Sequence, residues 1–124
     1  MIDADPQQRL IGVVGPCGSG KSSLVAGLES RGYHCRHIAQ EHSHVQAMWR
    51  ITGNPDVLIY LTSSFETSTA RRGLTWRRAD YDEELRRLEH ARRHAHLVIE
   101  TDCLTIGDVL SRVVALLEDH LSNG

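Results

Sequence analysis

The residues best suited to chemistry form one continuous stretch, Gly15-Pro16-Cys17-Gly18-Ser19-Gly20-Lys21-Ser22. This stretch matches G-x-x-x-x-G-K-[ST], the pattern of a phosphate-binding loop. Its glycines let successive backbone N–H groups converge on phosphate oxygens, and a helix that begins there adds free donors and a favourable dipole. In this pattern Lys21 reaches the β- and γ-phosphates, and the Ser22 hydroxyl is a ligand of Mg²⁺. This stretch, together with the next residue Ser23, therefore predicts a binding site for the phosphates of ATP or GTP with Mg²⁺.

The lysine of this motif weighs against a simpler interpretation, a glycine-rich turn that only links a strand to a helix. Lys21 is the only lysine among the 14 lysines and arginines of the chain. A lysine at the phosphate-contacting position of a chain that otherwise uses arginine favours phosphate binding. We expect Lys21 to stand at a helix start without a role in the core.

Such a loop needs a buried strand before it and a helix after it, and apolar spacing predicts both. Residues 10–14 are an apolar run typical of a strand covered on both faces, and Leu24, Val25 and Leu28 have helical spacing. Further strands are predicted over 33–38, 57–61 and 97–99. Further helices are predicted over 45–51, after a capping box at Ser63-x-x-Glu66, over 79–95, and from a capping box at Thr105-x-x-Asp108 to about 120. The alternation of strands and helices predicts an α/β fold with a parallel sheet.

The composition is that of an ordinary globular protein. Its 124 residues, 40% hydrophobic and 24% charged, predict one domain over 1–124, with residues 1–9 as a disordered or extended tail. The apolar runs are too short to cross a bilayer and the first residues lack the features of an export signal, so we expect a cytoplasmic location. A net charge of −2 gives no reason to expect nucleic-acid binding. For the oligomeric state, we expect a monomer or a homodimer.

Cysteines and histidines do not complete a recognised metal-binding pattern in the sequence. The three cysteines have no paired spacing, so we interpret them as free thiols and not as zinc ligands. His42 with His44, and His90 with His94, form only pairs, whereas a metal site needs three or four ligands. We therefore favour solvated or hydrogen-bonded histidines, while His42 and His44 flank Glu41 beside the predicted phosphate site.

The predicted helix over 79–95 alternates basic and acidic side chains. These are Arg86, Arg87, Arg92, Arg93, Glu83, Glu84 and Glu89. The pattern favours a solvated, salt-bridged helix face over a surface that binds nucleic acid.

The loop and three other segments make the chain resemble the P-loop kinases of the nucleoside monophosphate, thymidylate and dephospho-CoA kinase group. These segments are Pro55-Asp56-Val57-Leu58-Ile59-Tyr60-Leu61, the arginine-rich stretch after it, and Ile99-Glu100-Thr101-Asp102. The resemblance implies a compact three-layer P-loop NTPase fold with about four parallel strands, in the order 2-1-3-4 if the group's extra strand is missing. It also implies an ATP-dependent transfer of phosphate to a small metabolite or nucleotide.

In that group, arginines of a lid close over the phosphates, and the loop after the last strand lines the adenine. The residues at the lid positions of this chain, about 71–78, are Arg71, Arg72, Arg77 and Arg78. The residues at the base-contacting positions are Thr101, Asp102, Cys103, Leu104 and Thr105. The lid arginines, together with Lys21, would neutralise the charge that develops on a transferred phosphate.

Two departures from the group leave the phosphate acceptor and the acidic partner of Mg²⁺ open. Only residues 39–54 separate the second and third predicted strands, too few for both the group's further strand and its acceptor-binding insertion. Thr62-Ser63-Ser64 follows the third strand, where many relatives have an aspartate. A nucleotide-binding switch or regulatory module with slow NTP hydrolysis is therefore the alternative to a kinase. The sequence has no N-K-x-D motif, which favours ATP over GTP.

Glu41 is the candidate for the missing carboxylate. It follows the second predicted strand at the C-terminal edge, where ligands of open α/β sheets bind, whereas Asp56 precedes its strand and belongs at the opposite edge. Glu41 would orient Mg²⁺ together with Ser22, or accept a proton from an acceptor hydroxyl. A solvated loop glutamate is the alternative interpretation.

Overall fold

In the computed structural model, which describes residues 9–73 and 75–122, four parallel strands form a sheet with helices on both faces. The strands are β1 (Leu10–Val14), β2 (His34–His37), β3 (Val57–Thr62) and β4 (Leu97–Glu100). The helices are α1 (Lys21–Glu29), α2 (Phe65–Arg72), α3 (Arg78–His94) and α4 (Ile106–Ser122). A 3₁₀ turn spans Gln40–His42, and a π-helical turn spans Trp49–Gly53. Among the described residues, no helix has both the length and the apolar character needed to cross a membrane.

The strand order is β2-β1-β3-β4, which confirms the predicted order 2-1-3-4. In the register of the sheet, Val13 of β1 lies opposite His37 of β2 on one side and Ile59 of β3 on the other. Because all strands run in one direction, their carboxyl ends meet at one edge, where the glycine-rich loop (residues 15–22) leaves β1. Asp56 lies at the opposite edge, as predicted, and its carboxylate accepts the N–H of the first residue of β1 at 2.7 Å.

Different helices bury the two faces of the sheet. On one face α1 and α4 pack over the strand residues Ile11, Val13, Val57 and Ile59, and contribute Leu24, Leu28, Val113 and Leu117 to the cluster. On the other face α3 and the π-helical turn cover the strand residues Val14, Leu58 and Tyr60, and contribute Trp49, Leu88 and Ala91. Successive residues of a strand point to opposite faces, so a strand covered on both sides is apolar throughout. This explains the continuous apolar runs of β1 and β3. The predicted tail over 1–9 falls almost entirely outside the described residues.

The helix predicted over 45–51 is wrong in its position and type. The structure has a π-helical turn that begins at Trp49 and ends before Asn54, which adopts the left-handed conformation with φ 41°. The backbone N–H of Trp49 donates to Oε1 of Gln40 at 2.8 Å. A distant glutamine side chain therefore fixes the start of the turn, and apolar spacing does not reveal such a contact.

One predicted capping box is displaced by a residue and the other is confirmed. The N-cap of α2 is Ser64, whose hydroxyl accepts the N–H of Thr67 at 3.1 Å, and not Ser63. Ser63 is buried instead, and its carbonyl accepts the hydroxyl of Tyr81 at 2.6 Å. At the start of α4, the N–H of Thr105 donates to the Asp108 carboxylate and the N–H of Asp108 donates to the Thr105 hydroxyl, as predicted.

Gly12 in the central strand offers a test of this packing. A Cβ at Gly12 would lie 2.8 Å from Cδ1 of Ile38 and 2.9 Å from Cβ of Pro55. We expect Gly12→Ala to lower the free energy of unfolding by about 1–3 kcal/mol, because overpacking forces neighbouring atoms to shift. Urea denaturation of the purified variant measures this change. Gly107→Ala is the matched control, because that Cβ meets only ordinary contact at 3.7 Å and should leave stability unchanged or raised. Equal stability of the two variants would contradict the packing described for β1.

Candidate functional site

The glycine-rich loop joins the buried strand β1 to α1 and packs against α2. Gly18 has φ 82°, and a Cβ there would lie 2.6 Å from the carbonyl oxygen of Ser68. Gly20, the N-cap of α1, has φ 100° and provides no side-chain cap, and the first turn contains no acidic residue. The first N–H groups of a helix have no partners within the helix. The start of α1 thus offers donors for an anion, as the motif predicts.

Lys21 stands at the first position of α1, as expected, and it is buried as a charged side chain, with 6% of its surface exposed. Its ammonium donates to the carbonyl oxygens of Gly15 at 2.7 Å and Pro16 at 3.1 Å. The same ammonium lies 3.0 Å from Oε2 of Glu41. Because a buried ammonium needs acceptors, these contacts hold the lysine across the loop.

Glu41 lies in the 3₁₀ turn after β2, and only 3% of its side chain is exposed. It is therefore not a solvated loop glutamate. Its Oε2 pairs with Lys21, whereas its Oε1 is buried without a hydrogen-bond partner among the described residues. Glu41 and Ser22 line one cavity of about 350 Å³ beside the loop. Mg²⁺ binds oxygen ligands, so a carboxylate with one unpartnered oxygen and a nearby hydroxyl fit this ion.

Glu84, which the sequence did not indicate as a site residue, is buried and faces the loop. Its Oε1 accepts the N–H of Cys17 at 2.9 Å and its Oε2 accepts the Cys17 thiol at 3.1 Å. Burial of the thiol and its hydrogen bond to Glu84 raise the pKa of Cys17 to about 11. The sequence signal that could have identified Glu84 is its spacing, because it occupies the same buried face of α3 as Tyr81 and Leu88. The prediction of a solvated, salt-bridged face holds for Glu83 and Glu89, which pair with arginines, and fails for Glu84.

Two histidines lie close to Glu41. Nε2 of His37, at the end of β2, is 3.8 Å from Oε2 of Glu41, and Nε2 of His42 is at the same distance. Burial and the nearby Lys21 ammonium lower the pKa of His37 from its usual value. Nε2 of His42 also lies 3.9 Å from Sγ of Cys17. His44, which the sequence placed beside the site together with His42, is exposed and does not join this group.

A second cavity of about 370 Å³ adjoins the loop on the side of β4 and α4. Of the five residues predicted to contact a base, Thr101, Leu104 and Thr105 line it. Asp102 instead accepts the N–H of Ser64 at 2.9 Å and so ties the end of β4 to the end of β3. The fifth residue, Cys103, is exposed. Ser23 of the loop set also lines this cavity, so three of the predicted base-contacting residues meet the loop.

The four predicted lid arginines do not converge in the structure. Arg71 donates to the carbonyl oxygen of Gly18 at 3.2 Å, and to the hydroxyl and carbonyl oxygens of Thr101 at 2.8 Å each. The guanidinium of Arg72 lies 4.5 Å from the ring centroid of Trp76. Arg77 and Arg78 pair with acidic side chains of α3, and most of each side chain is exposed. Among the hydrogen bonds of residues 9–73 and 75–122, Arg71 is the one of these four arginines that donates to the glycine-rich loop.

No protein-family model matches the chain, and no curated protein shows significant similarity to it. The residues that meet at the carboxyl edge of the sheet are therefore the evidence from which a function is inferred.

Proposed function

We propose that the chain binds ATP, or GTP, with Mg²⁺ and transfers the γ-phosphate to a small metabolite or nucleotide. The observation that carries the proposal is the meeting of Lys21, Glu41 and the helix start of α1 at the end of β1. Loops of this sequence form an anion site from backbone N–H groups, a lysine and a helix dipole. Strand order and placement at the carboxyl edge agree with a nucleotide-binding α/β fold of the P-loop NTPase class.

In this proposal each side chain has a separate task. The ammonium of Lys21 leaves the carbonyl oxygens of Gly15 and Pro16 and binds phosphate oxygens instead. Ser22 and Glu41 would hold Mg²⁺, and the ion would supply charge neutralisation for the phosphates. The base lies in the 370 Å³ cavity against Thr101 and Leu104.

A nucleotide-binding switch with slow hydrolysis is the second candidate, and the segment between β2 and β3 favours it. In that segment Nε2 of Gln40 donates to the carbonyl oxygen of Arg87 at 3.0 Å. Nε2 of Gln46 donates to the carbonyl oxygen of Arg86 at 2.8 Å. Trp49 in turn donates to Nδ1 of His90 at 3.0 Å. The segment is packed on α3, and a kinase needs an acceptor site near this position. A switch needs none.

Incubation with ATP labelled at the γ-phosphate and a panel of metabolites tests both candidates. Label transferred to a small molecule supports the kinase, and label released as free phosphate supports the switch. Calorimetric titration with ATP and GTP in the presence of Mg²⁺ provides the control for binding. Binding of neither nucleotide would exclude both candidates.

Arg71→Ala should weaken ATP binding by about 10-fold, the scale of losing one hydrogen bond to a charged group. Arg71 lines the proposed base cavity and joins the loop to Thr101, so its loss removes both a contact and a support. Arg77→Ala is the matched control, because 84% of that side chain is exposed. Calorimetry on both variants measures the difference. An equal loss in Arg77→Ala would show that the exposed arginine also reaches the phosphates, as the lid hypothesis states.

A further inference from the structure

Cys17 and His42 have no task in the proposed function, yet their side chains meet beside Glu41. Sγ of Cys17 is 3.9 Å from Nε2 of His42, which is 3.8 Å from Oε2 of Glu41. One sulfur, one imidazole nitrogen and one carboxylate oxygen thus lie within 4.8 Å of one another. The thiol comes from the glycine-rich loop and the other two groups come from the 3₁₀ turn after β2.

These three donors are the set that zinc prefers. Zn²⁺ binds thiolate, imidazole and carboxylate in tetrahedral sites, and sites with three protein ligands keep the fourth position open. Tetrahedral bonds of normal length would place sulfur about 3.6 Å from nitrogen and nitrogen about 3.3 Å from oxygen. The observed separations exceed these values by a few tenths of an ångström. The side chain of His42 is 60% exposed, so its ring has room to close that gap.

The unpartnered oxygen of Glu41, which also supports the proposed Mg²⁺ site, is a second sign that a cation binds here. Oε1 is buried without a hydrogen-bond partner among the described residues, on a side chain that is 3% exposed. A buried polar atom without a partner is costly, and native structures contain few of them. The carboxylates of Glu41 and Glu84 both lie close to the Cys17 thiol, so negative charge stands beside the sulfur. A divalent cation would satisfy the oxygen and balance the charge.

We propose that Cys17, Glu41 and His42 form a binding site for Zn²⁺ at the mouth of the glycine-rich loop. On binding, the Cys17 thiol releases its proton to solvent and its sulfur becomes a ligand. A site with three protein ligands would leave a fourth position for a water molecule, and the three residues line the cavity of the loop. The carboxylate of Glu41 takes the metal and keeps its pairing with Lys21 through Oε2, and because Glu41 is also a proposed ligand of Mg²⁺, the two ions would compete for it.

Titration of the full chain with Zn²⁺ alone, in competition with a chromophoric chelator, tests the proposal without any nucleotide. We expect one equivalent of Zn²⁺ to bind. Cys17→Ser and His42→Gln should each weaken binding by at least about 10-fold, because even outer partners of a metal contribute this much. Cys103→Ser and His44→Gln are the matched controls, since both side chains are exposed and outside the group, and they should bind as the unmodified chain does.

Substitution with Co²⁺ gives a second readout that does not depend on a variant's stability. The unmodified chain should show the charge-transfer absorption of a cobalt–thiolate bond, and Cys17→Ser should lack it. Absence of this band in the unmodified chain would overturn the proposal. So would a Cys17→Ser variant that binds Zn²⁺ as tightly as the unmodified chain, or a Cys103→Ser variant that loses affinity equally. Because no nucleotide is present, these failures leave the proposed nucleotide binding untouched.

Discussion

Lys21→Ala is expected to weaken the binding of ATP and ADP by about 10- to 100-fold, the range that a hydrogen bond to a charged group provides. The ammonium lies over the start of α1, within 3.1 Å of two loop carbonyl oxygens, and is the loop's own cation. Its loss removes the charge-assisted contact with the phosphates. Calorimetric titration with each nucleotide measures the effect.

The buried ion pair of Lys21 with Glu41 means that Lys21→Ala also changes the stability of the protein. Removing one partner of a buried ion pair typically costs about 3–5 kcal/mol, because the other charge is left uncompensated. The double variant Lys21→Ala/Glu41→Gln removes both charges and is the proper control for folding. We expect it to regain much of the lost stability while nucleotide binding stays weak. A folded double variant with unchanged affinity for ATP would contradict the assignment of the phosphate site.

Glu41→Gln is expected to reduce turnover by about 10²-fold or more, the scale of losing a positioned acid–base group. Nucleotide binding should remain largely intact, because the ammonium of Lys21 still binds the phosphates and the loop keeps its backbone donors. Gln preserves the shape of the side chain and removes the charge that Mg²⁺ requires. The assay follows labelled phosphate, whether it is transferred to an acceptor or released.

Glu100→Gln is the control for this variant. Glu100 ends β4 at the same edge of the sheet but is exposed, so its loss should leave turnover unchanged. Full turnover in Glu41→Gln would refute the role of Glu41 and favour a nucleotide-binding module over a kinase. Equal losses in both variants would point to a general effect of charge at this edge.

The parts of the fold that follow from local patterns were predictable. The strands β1 and β3 are apolar because both faces are covered, and the glycine-rich loop is identified by its own sequence. The order of the strands was implied by the resemblance to the P-loop kinases together with the brevity of residues 39–54, and the structure has this order. The position of Glu41 follows from the rule that parallel strands end at one edge.

The contacts that complete the site were not predictable, because they depend on where distant side chains meet. Glu84 faces the loop only because α3 packs on β3 and on the 3₁₀ turn. His42 and Cys17 are 25 residues apart in the chain, and they meet only because this turn lies beside the glycine-rich loop. Arg71 donates to Thr101, which is 30 residues away in the chain, and so links the glycine-rich loop to the residue that follows β4. Periodicity and spacing describe neighbours in sequence, and none of these pairs are neighbours.

The two hydrogen bonds from Cys17 to Glu84 affect the rate at which a ligand associates with the glycine-rich loop. They fix the tip of the glycine-rich loop to a 17-residue helix before any phosphate arrives. The conformational entropy of ordering the loop is therefore lost during folding and not during association. Association then needs only the exchange of the contacts of Lys21, and its rate should be limited by the encounter of the two partners and not by rearrangement of the backbone.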